Sequence, residues 1–458
     1  MQRLLAIAWL TWKAAFRFRL FLVITALLLL SVIGLPLLLK DDGTARGFTQ
    51  ILLTYTLSTI AALLGLSTLW LACGTLARDI EECQMQVVAV KPIARWQIWL
   101  GKWLGLLSLN AALLAISGAS VFALLQWRAT RLPVEQQKVL RNEVLVSRGS
   151  AREPDQTADI ERETDRQMKL RLEKNPVAQV DLAEVRKQVL EQVKAVYQVV
   201  PPGYSRGWEI KVPKDTSRDR PLYVRIKFNA ANGNTSGTFV GLWQVGDPRK
   251  TQIWRSEPMS LAPETFHEFE VPPYFDDSGV LTVTFVNPND TSLLFPLEDG
   301  FEVLYREGGF VLNFARGLGI IFCWMAMLAA LGLAAASFLS FPVAAFLSLA
   351  ILSMALFSGP LSSAVSEGTL GNYNAEKGTK GHLAIDVVAI PVFRAVLNVI
   401  NLAKEFSPID SLSTGRSITW TQLGQAIAQI ILLLGGILAV FGITVFTRRE
   451  LATAQGTQ

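Results

Sequence analysis

Long apolar runs on both sides of one 180-residue polar block constrain this chain more than any other feature. Residues 21–39, 51–76, 100–127, 310–339, 342–361 and 423–447 are each long and apolar enough to cross ~30 Å of hydrocarbon. Between them, residues 128–307 hold 52 of the 81 charged side chains. A soluble domain has about a quarter of its residues charged. This chain has 18%, with mean hydropathy +0.34 over 458 residues. The pattern predicts a polytopic α-helical membrane protein with six transmembrane helices and an inserted extracytoplasmic domain.

Basic residues set the expected orientation. Arg3, Lys13, Arg17, Arg19, Arg78, Lys91, Arg95, Lys102, Arg448 and Arg449 fall in segments that share one side, against Asp79, Glu81, Glu82 and Glu450. By the positive-inside rule that side is cytoplasmic, as are both termini, and a bacterial inner membrane is the expected location. The first run is too long for a secretory h-region and lacks a cleavage site, so it is expected to stay as a span. Residues 4–16 suit either an amphipathic interfacial helix anchored by Trp9 and Trp12 or an extension of that span. Residues 385–403, broken by Asp386, Pro391, Arg394 and Asn398, are expected to re-enter or lie in the interface within an outer segment 362–421.

The polar block has two expected parts. Residues 128–204 read as helical. Asp181 and Glu184 form a capping box before Leu182, Val185, Val189, Val193 and Val196 on one face. From 205 to 307 the period changes to two in YVRIKF, TFVGLW, HEFEVP, LTVTFVN and FEVLYRE, which predicts an antiparallel β-sandwich. Its aromatics, Trp208, Trp243 and Trp254 among them, suit either a core or a surface for a glycan or protein partner.

Several function classes find no support in the residues. There is no G-x-x-x-x-G-K-[ST], G-x-S-x-G or H-E-x-x-H, and the polar block has no cysteine. Only His267 and His382 are present, without a Cys pair at ligand spacing, so neither a catalytic site nor a metal site is expected. The Asp276/Asp277 pair reads as turn chemistry rather than a glycosidase pair. The charge of +5 sits at membrane flanks, which gives no nucleic-acid footprint.

The informative stretch is 77–105, ARDIEECQMQVVAVKPIARWQIWLGKWLG. Asp79, Glu81 and Glu82 come first, then apolar Met85, Val87, Val88 and Val90, then Pro92. A second short helix carries Arg95, Trp96 and Trp99 and leads to Gly101 and Lys102. A helix ended near Pro92 and held to the membrane by Trp96 and Trp99 is suited to being pushed. This stretch resembles the coupling-helix region of the permease subunits of type-2 family ABC exporters. There, an acidic start, an apolar middle, a Pro-x-x-Arg step and a Gly-Lys entry to the third span recur. Cys83 and Gln84 stand where the family usually has Gly-Thr. FRFRL, SPIDSLSTGRSITWTQL and VFTRREL resemble the family's connecting helix, outer approach segment and C-terminus.

The resemblance spans the six runs and their loops but not 128–307. It implies a partner, a separate cytoplasmic ABC ATPase that holds ATP and Mg, with no cofactor bound by this chain. It also implies a second permease subunit, the same or a related chain. Asp79, Glu81, Glu82, Met85, Val88, Pro92, Arg95 and Trp96 would couple to the ATPase. Arg316, the seventh residue of the fourth run, would either snorkel to the outer interface or line the translocation path. Ala326, Ala330 and Ala334 form a small-residue stripe for close helix packing, within the subunit or across a dimer. Two other readings remain open: a membrane-anchored binding or attachment protein acting through the sandwich, and a force-transmitting ABC-like complex without transport.

Overall fold

A computed structural model describes residues 2–38, 44–82, 93–140, 144–174, 182–213, 216–232, 237–356, 358–367, 373–374, 379–380, 385–404 and 406–449. The chain divides into two compact units, 147–308 and the two flanking segments together.

The flanking unit is helical. Its long helices are α2 (Arg19–Leu38), α3 (Ala45–Glu81), α4 (Arg95–Ala129), α8 (Phe310–Ala336), α11 (Asp386–Lys404) and α13 (Trp420–Arg448). Six segments built on these are long and apolar enough to cross a membrane, the signature of a multi-pass membrane protein. They differ from the expected six at one point. The run at 342–361 is described as α9 (Phe341–Leu356) and α10 (Ser358–Glu367), with residue 357 outside the described residues. The sixth segment instead contains α11 and the short α12 (Pro408–Ser413).

Small residues bring the helices together. A Cβ on Gly332 of α8 would lie 2.6 Å from Ala72 Cβ and 3.1 Å from Leu69 O of α3. A Cβ on Gly442 of α13 would meet Ala334 and Trp99 Nε1 at 3.0 Å. Ala326, Ala330 and Ala334 are all buried. The stripe is thus used inside the chain, with backbones in close approach.

The N-terminal segment is a helix of its own, α1 (Gln2–Arg17), separated from α2 at Phe18. It lies on α4, where Gly101 and Gly105 admit Ile7 and Thr11, and Trp12 Nε1 donates to Ser108 Oγ at 2.8 Å. Trp9, Leu5, Leu10 and Phe16 remain exposed.

The intervening unit opens with strand β1 (Val146–Ala151), the helices α6 (Thr157–Lys174) and α7 (Leu182–Gln198), and β2 (Val199–Val200). Ten strands follow: β3 (Ser205–Lys211), β4 (Leu222–Ile226), β5 (Asn229–Ala230), β6 (Phe239–Val245), β7 (Trp254–Arg255), β8 (Met259–Leu261), β9 (His267–Val271), β10 (Val280–Val286), β11 (Leu293–Leu294) and β12 (Phe301–Gly309). One sheet has the order β1-β12-β4-β9. The second runs β3-β10-β6-β7, with β8 also on β6, and a small third sheet is β2-β11-β5. Inward residues of the two main sheets form one core, the arrangement of a β-sandwich. Leu222, Val224 and Ile226 point in while Tyr223 and Arg225 alternate outward, as period two requires. Across the core, Trp208 of β3 stacks on Phe301 of β12 at 4.3 Å, with Trp243 6.0 Å from Trp208.

This sandwich draws on chain before residue 205. β1 forms a sheet edge, where Gly149 leaves room for the ring of Tyr305. Buried Glu302 of β12 accepts from Ser150 Oγ at 2.7 Å and from Arg152 at 3.2 Å. Of the expected face of α7, Val189 and Val193 pack on Ile160 of α6, but Val196 is exposed. Asp181 lies outside the described residues.

Residues 147–308 expressed alone are expected to unfold cooperatively, and Trp208→Ala to cost ~3–5 kcal/mol through the cavity it leaves. Denaturant titration of 147–308 beside 205–306 checks the boundary: the shorter piece, lacking β1 and β2, should be clearly less stable.

Candidate functional site around residues 83–92

Residues 83–92 join α3 to α4, and the described side chains on both flanks bond into the helical unit itself. Lys102, 6% exposed on α4, donates from Nζ to Thr75 O at 2.7 Å and to Asp79 Oδ2 at 2.6 Å on α3. An ammonium in an apolar helix needs such an anion, and a cation near the C-terminus of α3 also suits its dipole. Glu81 Oε1 accepts from Phe341 N at 2.8 Å, placing a carboxylate at the N-terminus of α9. Between them the Arg78 guanidinium lies over the rings of Phe18, at 4.9 Å, and Phe341, at 4.5 Å.

The α4 flank is tied to the last helix. Arg95 Nη1 is 3.0, 2.9 and 2.6 Å from the carbonyl oxygens of Phe446, Thr447 and Arg449, the acceptors that the end of α13 leaves without intrahelical donors. Arg449 in turn donates to Ser337 O, just past α8, at 3.2 Å. The flanks of 83–92 are therefore bonded, through Lys102, Glu81 and Arg95, to the ends of α3, α9 and α13.

The described residues of this stretch are placed as follows. Asp79, Glu81 and Arg95 bond to their own chain. Trp99, expected to face the membrane, is instead fully buried beside Gly442, because glycine there leaves space for the indole. Trp96 is 45% exposed, and Glu82 is an exposed C-cap whose N–H bonds to Arg78 O. Met85, Val88 and Pro92 lie outside the described residues. Sequence reasoning missed Arg78, Lys102 and Arg449 as members of the frame. One signal was available for Lys102, since a lysine seven residues into an apolar helix calls for an acid, and Asp79, Glu81 and Glu82 are the nearest in sequence.

The opposite end of α8 holds Arg316, 8% exposed. Its Nε is 3.4 Å from Leu312 O and its guanidinium carbon is 5.5 Å from the Trp420 ring. Beside it, Asn313 is fully buried, donates to Arg416 O and accepts from Ile418 N, both at 2.7 Å. Leu412 packs against Gly317, so residues 412–418 lie along the first turns of α8. Farther along α8, Trp324 Nε1 donates to Ala403 O at 3.3 Å.

In the sandwich, Trp208 and Trp243 are 1% and 2% exposed and belong to its core, because their positions point inward in β3 and β6. They offer no stacking surface to a ligand. Trp254 is half-buried in the two-stranded pairing of β6 with β7. Asp276 closes a turn: its Oδ1 accepts from Ser278 Oγ at 2.6 Å and from the N–H groups of Val280 and Ser278 at 2.8 and 2.9 Å. These bonds, the Ser278 hydroxyl first, hold its pKa below the usual carboxylate value. A glycosidase general acid needs the reverse shift.

Comparison of the chain with family models, with curated proteins and with solved structures finds no match.

The Lys102–Asp79 pair generates a prediction. Asp79→Asn leaves a buried ammonium and should cost ~2–3 kcal/mol, less than a fully buried pair because Asp79 is a third exposed. Adding Lys102→Met removes the orphaned charge and should restore more than half of that loss. Thermal unfolding of the single and double variants checks it, and purely additive losses would show that the two side chains do not act as a pair.

Proposed function

We propose that this chain is a membrane-spanning subunit of an ATP-driven ABC exporter of the type-2 family, working with a separate cytoplasmic ATPase. The observation that carries this reading is the frame around 83–92. A connection whose flanks are hydrogen-bonded to three helix ends can turn a push from a partner into movement of the whole helical unit. A loop free at its flanks would absorb the push. The motif order of 77–105 supports the same reading, as do the long α3 and α4. At about 55 and 52 Å, they exceed the hydrocarbon thickness and can reach a partner beyond it.

In this account ATP and Mg are bound by the partner, and two permease subunits pair across the membrane. Exposed Trp96 and Glu82, together with Met85 and Val88, meet the ATPase, while Asp79, Glu81 and Arg95 position the loop. ATP drives the change only by differential contacts with the two membrane states. Both termini and 83–92 are cytoplasmic, and 147–308 is outside, as the charge bias requires. Ala403 is level with Trp324, and Arg416 with Asn313, eleven residues or about 16 Å nearer the start of α8. We read the segment from α11 to Ile418 as re-entrant, entering and leaving on the outer face, with α9 and α10 supplying the sixth crossing that keeps both termini on one side.

Two outcomes are expected. With Cys83 replaced by Ser, cysteines at Glu257 and Asp290 should react with an impermeant reagent added outside, and one at Ala94 should not. The reverse pattern would invert the topology. The purified chain should also retain an ATPase and stimulate its turnover. Arg95→Ala should reduce that stimulation about five- to tenfold without lowering membrane insertion. Full stimulation by Arg95→Ala would remove the coupling assignment.

A further inference from the structure

Arg316 stands apart from Lys102, also buried, and from the half-buried Arg95 and Arg128 of the helical unit. Lys102 has Asp79 and a carbonyl, Arg95 has three carbonyls, and Arg128 donates to Pro36 O while lying 5.5 Å from the Phe48 ring. Arg316 has a single long bond to its own helix and one aromatic neighbour, and among the described residues no carboxylate pairs with it. A guanidinium keeps its charge at any accessible pH, so burial cannot be relieved by losing a proton. In an apolar medium such a group is retained when it is hydrated or meets an anion.

A second positive element lies beside it. Trp420, whose ring Arg316 faces, opens α13, where Gln422 N donates to Thr419 Oγ1 and Thr419 N to Gln422 Oε1 in a capping box, and the first turn carries the positive end of the helix dipole. Leu312, on the same face one turn before Arg316, is half exposed, as is Val311. A planar fork, a helix N-terminus and adjoining bare apolar surface together match an anionic head carried on an apolar body.

We infer that Arg316 and the first turn of α13 bind the phosphate-class headgroup of an anionic amphiphile. This goes beyond the exporter reading and needs from it only that α8 and α13 lie in the membrane. The chemistry is an oxyanion held by the guanidinium fork, whether it arrives on a lipid or free in solution.

The test uses the full chain without any ATPase, so its outcome is independent of coupling. The chain is placed in phosphatidylcholine nanodiscs with or without phosphatidylglycerol, and in phosphatidylcholine nanodiscs with inorganic phosphate. Retained lipid is read by native mass spectrometry and stability by thermal unfolding. The wild type should retain phosphatidylglycerol over phosphatidylcholine by about tenfold or more, and Arg316→Gln should lose that preference. Stabilisation by inorganic phosphate as well would identify a small-anion site, and stabilisation by phosphatidylglycerol alone an amphiphile site. Either supports the assignment if Arg316→Gln abolishes it. Should that variant not fold, Arg316→Lys decides, since it keeps the charge without the fork: a several-fold weaker preference supports the site and an unchanged one overturns it. No preference in the wild type, or the same preference in Arg316→Gln, also overturns it.

Discussion

Lys102 places an ammonium between the Thr75 carbonyl and the Asp79 carboxylate, and the flanks of 83–92 are organised around that contact. Its position, seven residues into α4, fixes how α4 lies against the end of α3. With α3 set, Glu81 reaches the start of α9 and Arg78 is held between Phe18 and Phe341. With α4 set, Arg95 reaches the last carbonyls of α13. Each contact satisfies polar groups that would be costly to leave unpaired in an apolar environment, so removing one is felt by the others.

The two units answer to different physics. In the helical unit, glycine and alanine let backbones approach, and the few charges are spent on helix ends. In the sandwich, burial of aromatic and branched side chains between two sheets supplies the core, and ion pairs such as Arg148–Glu268 lie on a face away from it. A core built on Trp208, Trp243 and Phe301 accounts for their presence without any ligand.

Much of this was legible in the sequence because period and polarity are local. Alternation at 222–226 and 281–286 marks strands, and the apolar runs mark the long helices. What was not legible depended on distant partners. β1 reads VSRGSA, with no alternating apolar face, and becomes a strand because Glu302 and Tyr305, over 150 residues away, pair with and cover it. Trp96 and Trp99 look equivalent in the chain, yet Gly442 admits one and leaves the other outside. The signs of Asp79, Glu81 and Arg95 were visible, but their partners Lys102, Phe341 and the end of α13 were not.

The central claim is that the loop flank and the end of the last helix move as one body. Spin labels at Ala94 and Arg448 of the assembled complex, with a second pair at Ala94 and Val311, test it by distance measurement before and after ATP is added. The account predicts that the 94–448 distance holds within about 2 Å while the 94–311 distance shifts by more than that. A 94–448 distance that changes as much as 94–311 would mean that Arg95 does not bind the loop flank to α13 during the cycle, and would contradict the account.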